Sequence, residues 1–303
     1  MNIGLDNGRG NVKVVCGNRR KIFESYCGRG YEMDFSYGKE NYEVQIDNEK
    51  YFVGALAKRE GMSRCFQKHK IDNKRTKPLV LTAISLMTIQ DSNVNIVTGT
   101  PISDYREQKD QIEMYLRGKY KVKVTEEEQK EIEIENVKVF PEGAGAYFSK
   151  ILNMNGEVCD KELATTKVGI VDIGYKTTNI SVFDNLKFVD KLSATFNFGI
   201  HQAFNMIYKR LSREEDITPE QVENITTGYE FKTLSDRIQT EINKFWGNIS
   251  FKIFICGGGA YLLKDYFPKF ELINKPEFAN AEGYYKIAQM LYKPKVERWT
   301  FGQ

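Results

Sequence analysis

A short unit, in which a β-prone segment enters an aspartate-containing turn and leaves it as a second β-prone segment, occurs twice in the chain. The first copy reads IGLDNGRGNVKVV around Asp6, and the second reads VDIGYKTTN around Asp172. Each copy leads into a third strand pattern and then into alternating helices and strands, which we interpret as two copies of a βββαβα arrangement. The repeat therefore predicts an α/β fold with two related domains, and duplicated domains commonly share a site in the cleft between them.

The order of the predicted elements follows from β-branched runs, apolar spacing and turn residues. In the first half we expect strands at 2–6, 11–16 and 20–25, a helix at 77–89, a strand at 94–98, a helix at 103–116 capped by Ser103 and followed by Gly118, strands at 131–135 and 137–140, and a helix ending near 152. In the second half we expect strands at 168–172, 179–183 and 187–192, helices at 199–211, 219–226 and 231–246, a strand at 251–256, a helix at 260–267, a strand at 270–273 and a helix at 282–292.

The domain boundaries are expected near the middle of the chain. The first domain should cover residues 1–150, with an inserted subdomain at about 27–75, where the sequence is polar and rich in Gly and Tyr. The second domain should cover residues 151–281, with a small insertion at about 200–248. A C-terminal helix within 282–303 is expected to pack back on the first domain.

Composition limits the function classes. With 303 residues, 41% hydrophobic and 28% charged, the chain is typical of a soluble globular protein in which each half can bury its own core. The net charge is only +3 and the basic residues form no stripe, so direct nucleic-acid binding is not expected. No apolar run reaches the ~18 residues of a membrane span, and we expect a cytoplasmic protein without a membrane partner.

Cysteine and histidine residues offer little material for a metal site. The five cysteines are odd in number and form no C-x-x-C pair, so they are interpreted as buried thiols rather than as disulfides or zinc ligands. His69 and His201 are the only histidines and lie far apart in the sequence. A histidine-based triad or metal centre is therefore not predicted.

The two aspartate-containing turns can be explained in two ways. Asp-Asn-Gly between strands is typical of a hairpin, because Asn and Gly tolerate positive φ. A glycine-rich turn also lets backbone N–H groups approach a phosphate closely. If the two turns face each other, they could bind a triphosphate from both sides, with Asp6 and Asp172 holding Mg²⁺ through its water ligands. Lys13, if directed inward, would place a positive charge on the β- or γ-phosphate.

A third glycine-rich segment, FICGGGAY, contains Gly257, Gly258 and Gly259 at the expected start of a helix. A helix N-terminus carries free N–H groups and partial positive charge, which suits a phosphate or the edge of a nucleoside. The same glycines could equally form a tight corner between strand and helix. The chain contains neither a Walker A loop nor a dinucleotide-binding fingerprint.

Five segments in order, DNGRGNVK, PEGAGAY, DIGYKTTN, CGGGA and NAEGYYKIA, resemble the motifs of the actin, sugar-kinase and heat-shock-chaperone ATPase superfamily. They are similar to its first phosphate loop, first connecting helix, second phosphate loop, adenosine loop and second connecting helix. The compact length and the form of NAEGYYKIA most resemble the bacterial actin-like plasmid-segregation ATPases of the ParM/StbA type.

The resemblance implies an actin-like duplicated βββαβαβα fold whose two domains enclose a nucleotide. It implies an ATPase that uses Mg²⁺ and ATP, with GTP as the alternative nucleotide. Proteins of this type polymerise into filaments with ATP bound, and hydrolysis makes the filaments unstable. A ParR-like DNA-binding adaptor then couples filament growth to the movement of plasmids.

The resemblance also assigns roles to residues of this sequence. Asp6 and Asp172 would lie beside Mg²⁺, and Glu142 would orient the attacking water, although Glu142 could instead be an ordinary carboxylate at a helix N-terminus. The nucleotide-binding residues would be Gly8, Arg9, Gly10, Asn11, Lys13, Gly174, Tyr175, Lys176, Thr177, Gly257, Gly258, Gly259 and Ala260. The segment 200–248 is shorter than the family's outer subdomain, so no residue there receives a role.

Three alternatives remain open at this point. A small-molecule kinase on the same fold would need an aspartate base, and Asp72, Asp91 and Asp104 are available, although none lies in a recognisable substrate motif. A non-filamentous ATPase or nucleotide-binding module would share the same turns. A membrane-anchored actin homologue would use the tail 292–303, but Pro294 argues against an anchoring helix there.

Overall fold

The computed structural model describes residues 1–33, 41–64, 74–226, 228–247 and 251–293. In these ranges the chain forms two sheets. The strands of the first sheet are β1 (Asn2–Asn7), β2 (Asn11–Cys16), β3 (Arg19–Glu24), β4 (Cys27–Arg29), β5 (Tyr42–Ile46), β6 (Glu49–Val53), β7 (Ser92–Thr100), β8 (Gly118–Val124) and β9 (Lys130–Pro141). The strands of the second sheet are β10 (Lys167–Ile173), β11 (Thr178–Asp184), β12 (Lys187–Phe188), β13 (Ala194–Phe196), β14 (Lys252–Cys256) and β15 (Glu271–Leu272).

Ten α-helices accompany the sheets in the described ranges. They are α1 (Ala55–Arg59), α2 (Thr76–Ser85), α3 (Ile102–Leu116), α4 (Ala144–Ile151), α5 (Lys161–Thr165), α6 (Ile200–Leu211), α7 (Pro219–Val222), α8 (Tyr229–Trp246), α9 (Ala260–Leu263) and α10 (Ala279–Leu291). Three short 3₁₀ turns cover Asp190–Leu192, Lys264–Tyr266 and Pro276–Phe278. None of these helices combines the length and the apolar character that crossing a bilayer requires.

The predicted duplication is confirmed by the strand order. The first sheet contains the order β3-β2-β1-β7-β9, and the second contains β12-β11-β10-β14-β15. In each, three antiparallel strands are followed by two parallel neighbours. This is the actin-like α/β arrangement predicted from the repeat.

The inserted segment extends the first sheet. Strand β5 pairs with β8, and β6 and β4 continue the same sheet outward. Strand β8 was not predicted, although its alternating pattern, with Tyr120, Val122 and Val124 buried between exposed lysines, is typical of a half-buried strand. In the second half, α6, α7 and α8 lie between β13 and β14 and pack on the second sheet.

Several predicted boundaries were wrong. Helix α2 ends at Ser85, and α3 begins after Pro101, so Ser103 lies inside the helix and donates to Asp104 instead of capping. The strands predicted at 131–135 and 137–140 are one strand, β9, whose register with β7 shifts between Val94 and Asn95. The strand predicted at 187–192 is only two residues long before a 3₁₀ turn, and the helix predicted at 260–267 is one α-helical turn followed by a 3₁₀ turn.

The last helix packs on the first sheet and on α4. Helix α10 lies against α4, β1 and β7, and a Cβ at Gly4 of β1 would lie 2.1 Å from the Ala281 carbonyl oxygen of α10. Only a glycine on β1 permits that approach. The predicted tail beyond residue 293 lies outside the described residues.

The cysteines are only partly as predicted. Cys27 and Cys256 are buried, and Cys16 is half-buried. Cys159 is exposed, so the prediction of a buried thiol is wrong there. Cys65 and His69 lie outside the described residues. His201 is half-buried and stacks on Tyr175 with ring centroids 4.9 Å apart.

Candidate functional site: a cleft between two facing turns

The two aspartate-containing turns lie against each other. The first connects β1 to β2, and the second connects β10 to β11. A Cβ at Gly10 of the first turn would lie 2.7 Å from the Tyr175 Cβ of the second. Because no larger residue than glycine fits that contact, the close approach of the two halves explains Gly10 in the first turn.

Each turn is held by its own hydrogen bonds. In the first, the Ser25 hydroxyl donates to the Gly8 carbonyl at 2.5 Å, and the Ser25 N–H donates to the Gly10 carbonyl at 3.0 Å. In the second, the Gly174 N–H donates to the Thr177 carbonyl at 2.9 Å. The first turn is therefore held by the residue that follows β3, and the second by a hydrogen bond within the turn itself.

A cleft of about 260 Å³ opens between the turns. Its lining includes the following residues proposed from the sequence: Asp6, Gly8, Arg9, Gly10, Asn11, Lys13, Glu142, Asp172, Gly174, Tyr175, Lys176, Thr177, Gly257 and Gly258. Gly259 and Ala260 are not part of the lining. A Cβ at Gly259 would lie 2.7 Å from Ile173 Cγ2, so this glycine permits close packing of α9 on β10.

Lys13 and Asp6 form an ion pair at the first turn. The Lys13 Nζ lies 3.1 Å from Asp6 Oδ2, and both side chains are largely buried. Burial lowers the pKa of Lys13, but the carboxylates of Asp6, Asp172 and Glu142 outweigh it, so the pKa is raised overall. Lys13 therefore stays charged and faces all three carboxylates.

Asp172 lies at the second turn in a different environment. It is 6% exposed, and its Oδ2 accepts a hydrogen bond from Asn280 Nδ2 at 2.8 Å. Burial, and then the negative charges of Glu142 and Asp6, raise the pKa of Asp172 to about 7. A Cβ at Gly257 would lie 2.4 Å from Asp172 Oδ1, so the glycine-rich segment closes over this carboxylate.

Glu142 is held between the two halves. It follows β9 and precedes α4, while its carboxylate accepts from Asn179 Nδ2 of β11 at 2.7 Å. The Thr195 hydroxyl donates to Asn179 Oδ1 at 2.6 Å and thereby orients the amide. Because helix α4 begins at Ala144, Glu142 precedes the first helical turn, and its carboxylate is directed across the cleft toward the second half.

The charges of the cleft fit a polyphosphate with a hydrated divalent cation. Burial, and to a lesser extent the positive charge of Arg9 in the first turn, lowers the pKa of Lys176 in the second turn. Two cations, one from each turn, therefore lie close to each other at the cleft. Asp6, Glu142 and Asp172 face a single buried lysine. Within the described ranges, no group of three or more His, Cys, Asp or Glu is arranged to hold a metal by itself. Mg²⁺ that is bound with phosphates keeps several waters and needs only one or two carboxylates, so Asp6 and Asp172 fit it.

Part of the cleft lining is apolar. Ile200, Phe204 and Leu262 line the cleft beside Gly258, and a Cβ at Gly258 would meet nothing within 4 Å. A flat, largely apolar group such as a nucleoside base would fit between such walls.

The mouth of the cleft contains residues that the sequence analysis missed. The guanidinium of Arg64 binds Glu223 with Nη1–Oε1 at 2.9 Å and Nη2–Oε2 at 3.0 Å. The Tyr175 hydroxyl donates to the same Glu223 at 2.6 Å, and Arg64 stacks over the Tyr175 ring at 4.2 Å from its centroid. Arg64 belongs to the first insertion and Glu223 to the second, so no local pattern could have indicated their pairing.

Asp91 and Asp104, two of the aspartates considered for a kinase, do not line the cleft. Asp91 accepts a hydrogen bond from the Glu131 N–H, and Asp104 accepts from the Ser103 hydroxyl within α3. Asp72 lies outside the described residues. Among the described residues, the cleft carboxylates are Asp6, Glu142, Asp172 and Glu223.

Two family profiles match the chain. Residues 4–145 match the N-terminal domain of actin-like proteins, and residues 170–230 match the C-terminal domain of the archaeal actin homologue described as MreB-like. A search among curated protein sequences returned no match.

Solved structures resemble the chain over almost its whole length. A ParM from Clostridium botulinum, solved as a 15-stranded filament, is 28% identical, with a TM-score of 0.81 over 95% of this chain and 99% of that chain. A non-polymerisable quadruple mutant of the pCBH ParM is 30% identical, with a TM-score of 0.79 over 95% and 99%. An archaeal actin homologue in complex with ADP is 20% identical, with a TM-score of 0.80 over 96% and 99%, and shares the fold.

Proposed function

Because the chain belongs to the actin-like proteins of the ParM type, we propose that it is an ATP hydrolase that polymerises into nucleotide-dependent filaments. The observation that carries this proposal is the contact of the two turns beside a cleft that Asp6, Glu142 and Asp172 all line. The similarity to a ParM filament supports self-assembly.

The nucleotide would be bound from both sides of the cleft. The N–H groups of Gly8 and Gly10 would donate to phosphate oxygens, Gly174 would let the second turn approach the phosphates closely, and Lys13 would place its charge on the β- or γ-phosphate. Mg²⁺, held by Asp6 and Asp172 through its waters, would neutralise the charge that develops on the phosphates.

Glu142 would orient the attacking water. In hydrolysis the water oxygen forms a bond to the γ-phosphorus while the bond to the bridging β–γ oxygen breaks, so ADP and phosphate leave. Phosphoryl transfer needs mainly positioning and charge neutralisation, and a fixed carboxylate can keep a water in line. Asn179 supports this role because it holds the Glu142 carboxylate at 2.7 Å.

The filament would separate copies of plasmid DNA. The sequence similarity to ParM proteins, at 28% and 30% identity, supports this use. A ParR-like DNA-binding adaptor would couple the filament to DNA, since the chain itself has a net charge of only +3 and no basic stripe. ATP is the expected nucleotide, and GTP is the alternative.

Sedimentation at high speed tests this proposal. The protein would be centrifuged over a range of concentrations with Mg²⁺ and ATP, with Mg²⁺ and ADP, and without nucleotide. We expect a threshold concentration above which protein pellets only with ATP. If ATP is consumed and no protein pellets under any condition, the filament proposal fails and a kinase or non-filamentous ATPase takes its place.

A further inference from the structure

Asn280 connects the nucleotide cleft to the crossing of two helices. It is the second residue of α10 and is 5% exposed. Its Nδ2 donates to Asp172 Oδ2 at 2.8 Å, and its Oδ1 accepts from the Ala146 N–H of α4 at 3.1 Å. One buried carboxamide therefore joins the second turn to a helix that starts on the other side of the cleft.

The bond to α4 replaces a missing helix cap. Helix α4 starts after Gly143, which has no side chain to accept a hydrogen bond from the first helical turn. Asn280 supplies that acceptor from another helix. Because the Ala146 N–H can only donate, the amide oxygen must face α4 and the amide nitrogen must face Asp172. Both ends of the carboxamide are thus assigned.

The two helices touch backbone to backbone at this point. A Cβ at Gly145 of α4 would lie 2.4 Å from the Asn280 carbonyl oxygen, and a Cβ at Gly283 of α10 would lie 1.7 Å from the Gly145 carbonyl oxygen. No side chain separates the two backbones at this contact, so a change in the position of Asn280 is passed directly to α4. Only Gly143 separates the start of α4 from Glu142, so the helix also determines where Glu142 lies.

We propose that Asn280 is a positioning residue that couples Asp172 to helix α4 and thereby to Glu142. This inference rests on the proposed function for its consequence in hydrolysis, while the coupling itself is a property of the nucleotide-free chain. Whatever Asp172 binds changes how strongly it holds the Asn280 amide. The rigid carboxamide passes that change to the N-terminus of α4.

Lys286 provides a matched control on the same helix. Its Nζ donates to the Ser149 carbonyl at the other end of α4 at 2.6 Å, and it forms an ion pair with Glu282 at 3.2 Å. It is as buried as Asn280 and also ties α10 to α4. Lys286 is not part of the cleft lining, so it can stabilise the helix crossing without sensing Asp172.

Hydrogen–deuterium exchange of the full chain measures the coupling. Exchange of the amides in residues 144–151 would be recorded without nucleotide for wild type, Asn280→Ala, Asn280→Ser and Lys286→Met, each with and without Asp172→Ala. We expect Asp172→Ala to speed exchange about threefold to tenfold in the wild-type and Lys286→Met backgrounds, as for loss of one buried hydrogen bond. In both Asn280 backgrounds we expect Asp172→Ala to have no further effect.

Two results would overturn the inference. Either Asp172→Ala speeds exchange equally in the Asn280 backgrounds, or it has no effect on α4 in wild type. Asn280→Ser provides the result if Asn280→Ala does not fold. A parallel measurement with Mg²⁺ and ADP separates the two proposals. If the wild-type protein binds no ADP, the nucleotide site is contradicted. If ADP protects the amides of α4 equally in the wild-type protein and in Asn280→Ala, the coupling is contradicted.

Discussion

The two turns occupy equivalent backbone positions in the two halves, but their aspartates lie in different electrostatic environments. Asp6 of the first turn lies 3.1 Å from the ammonium group of Lys13. Asp172 of the second turn lies 2.8 Å from a neutral amide, and its pKa is raised to about 7. Both copies of the motif therefore contain a carboxylate, but the lysine forms an ion pair with the carboxylate of the first copy. The second carboxylate is the one that a bound cation would stabilise most.

The comparison predicts that a substitution can lower the rate of hydrolysis without weakening nucleotide binding. Glu142 comes from the first half and is held by Asn179 of the second, so it should act on the reaction and leave binding to the turns. Glu142→Gln should lower the rate of ATP hydrolysis about 10²- to 10⁴-fold, because a positioned base or water-orienting group contributes that much. The nucleotide affinity should change by no more than about twofold, which is a smaller free-energy change than the about 1.4 kcal/mol of a tenfold difference in affinity.

Phosphate release and equilibrium binding of a fluorescent nucleotide would check this prediction. Glu128→Gln, at an exposed position outside the cleft, is the control. Unchanged phosphate release by Glu142→Gln would remove Glu142 from its role.

The second turn should control the dependence on Mg²⁺. Asp172→Ala should weaken Mg²⁺-dependent ATP binding about 10- to 100-fold, as for loss of a group that holds a metal's ligands. The fold should remain, because the variant also removes a buried charge. Binding would be measured by calorimetry with Mg²⁺ and with EDTA, and Asp184→Ala on the neighbouring strand β11 is the control. Normal Mg²⁺-dependent binding by Asp172→Ala would contradict the opposed arrangement of the turns.

The first turn should matter more for stability. Lys13→Met leaves Asp6 buried without its cation and should lower the free energy of unfolding of the nucleotide-free protein by about 3 kcal/mol, as for other broken buried pairs. Urea unfolding would measure this loss. Exposed Lys121→Met is the control, since Lys121 lies on β8 away from the cleft. An equal effect of the two substitutions would show that the first pair does not stabilise the fold.

The smallest effect is the pH dependence of the second turn. The pKa of Asp172 is about 7 in the folded chain and about 3.9 in an unfolded chain, so its contribution to stability is present below pH 4 and lost as the pH rises to about 7. Asp172→Asn has no charge to bury and still accepts from Asn280. Without nucleotide, it should melt a few degrees higher than wild type at pH 8, and the difference should shrink toward pH 5. A difference independent of pH would refute the assignment.

The sequence predicted the features that depend on residues close together in the chain. The turns around Asp6 and Asp172 could be found because glycine, asparagine and aspartate at a strand end indicate both the turn and the ligand chemistry. The strand order followed from the repeat. Residues 187–192 and 260–267 were misassigned because short apolar runs do not distinguish strands, helices and 3₁₀ turns.

The rest of the site depends on tertiary contacts. Arg64 and Glu223 come from two insertions 159 residues apart, and their pairing has no periodicity or motif. Asn280 was visible in NAEGYYKIA, but its two bonds depend on how α10 crosses α4 and approaches β10. Gly259 and Ala260 were assigned from a motif; in the structure Gly259 packs against Ile173, and neither residue is part of the cleft lining.

Titration of the wild-type protein with ADP, in Mg²⁺ and in EDTA, tests most directly whether the two turns form one nucleotide site. The account predicts saturable binding at a single site, weakened about 10-fold or more when Mg²⁺ is removed. No binding under either condition, or identical affinity in Mg²⁺ and in EDTA, would contradict it.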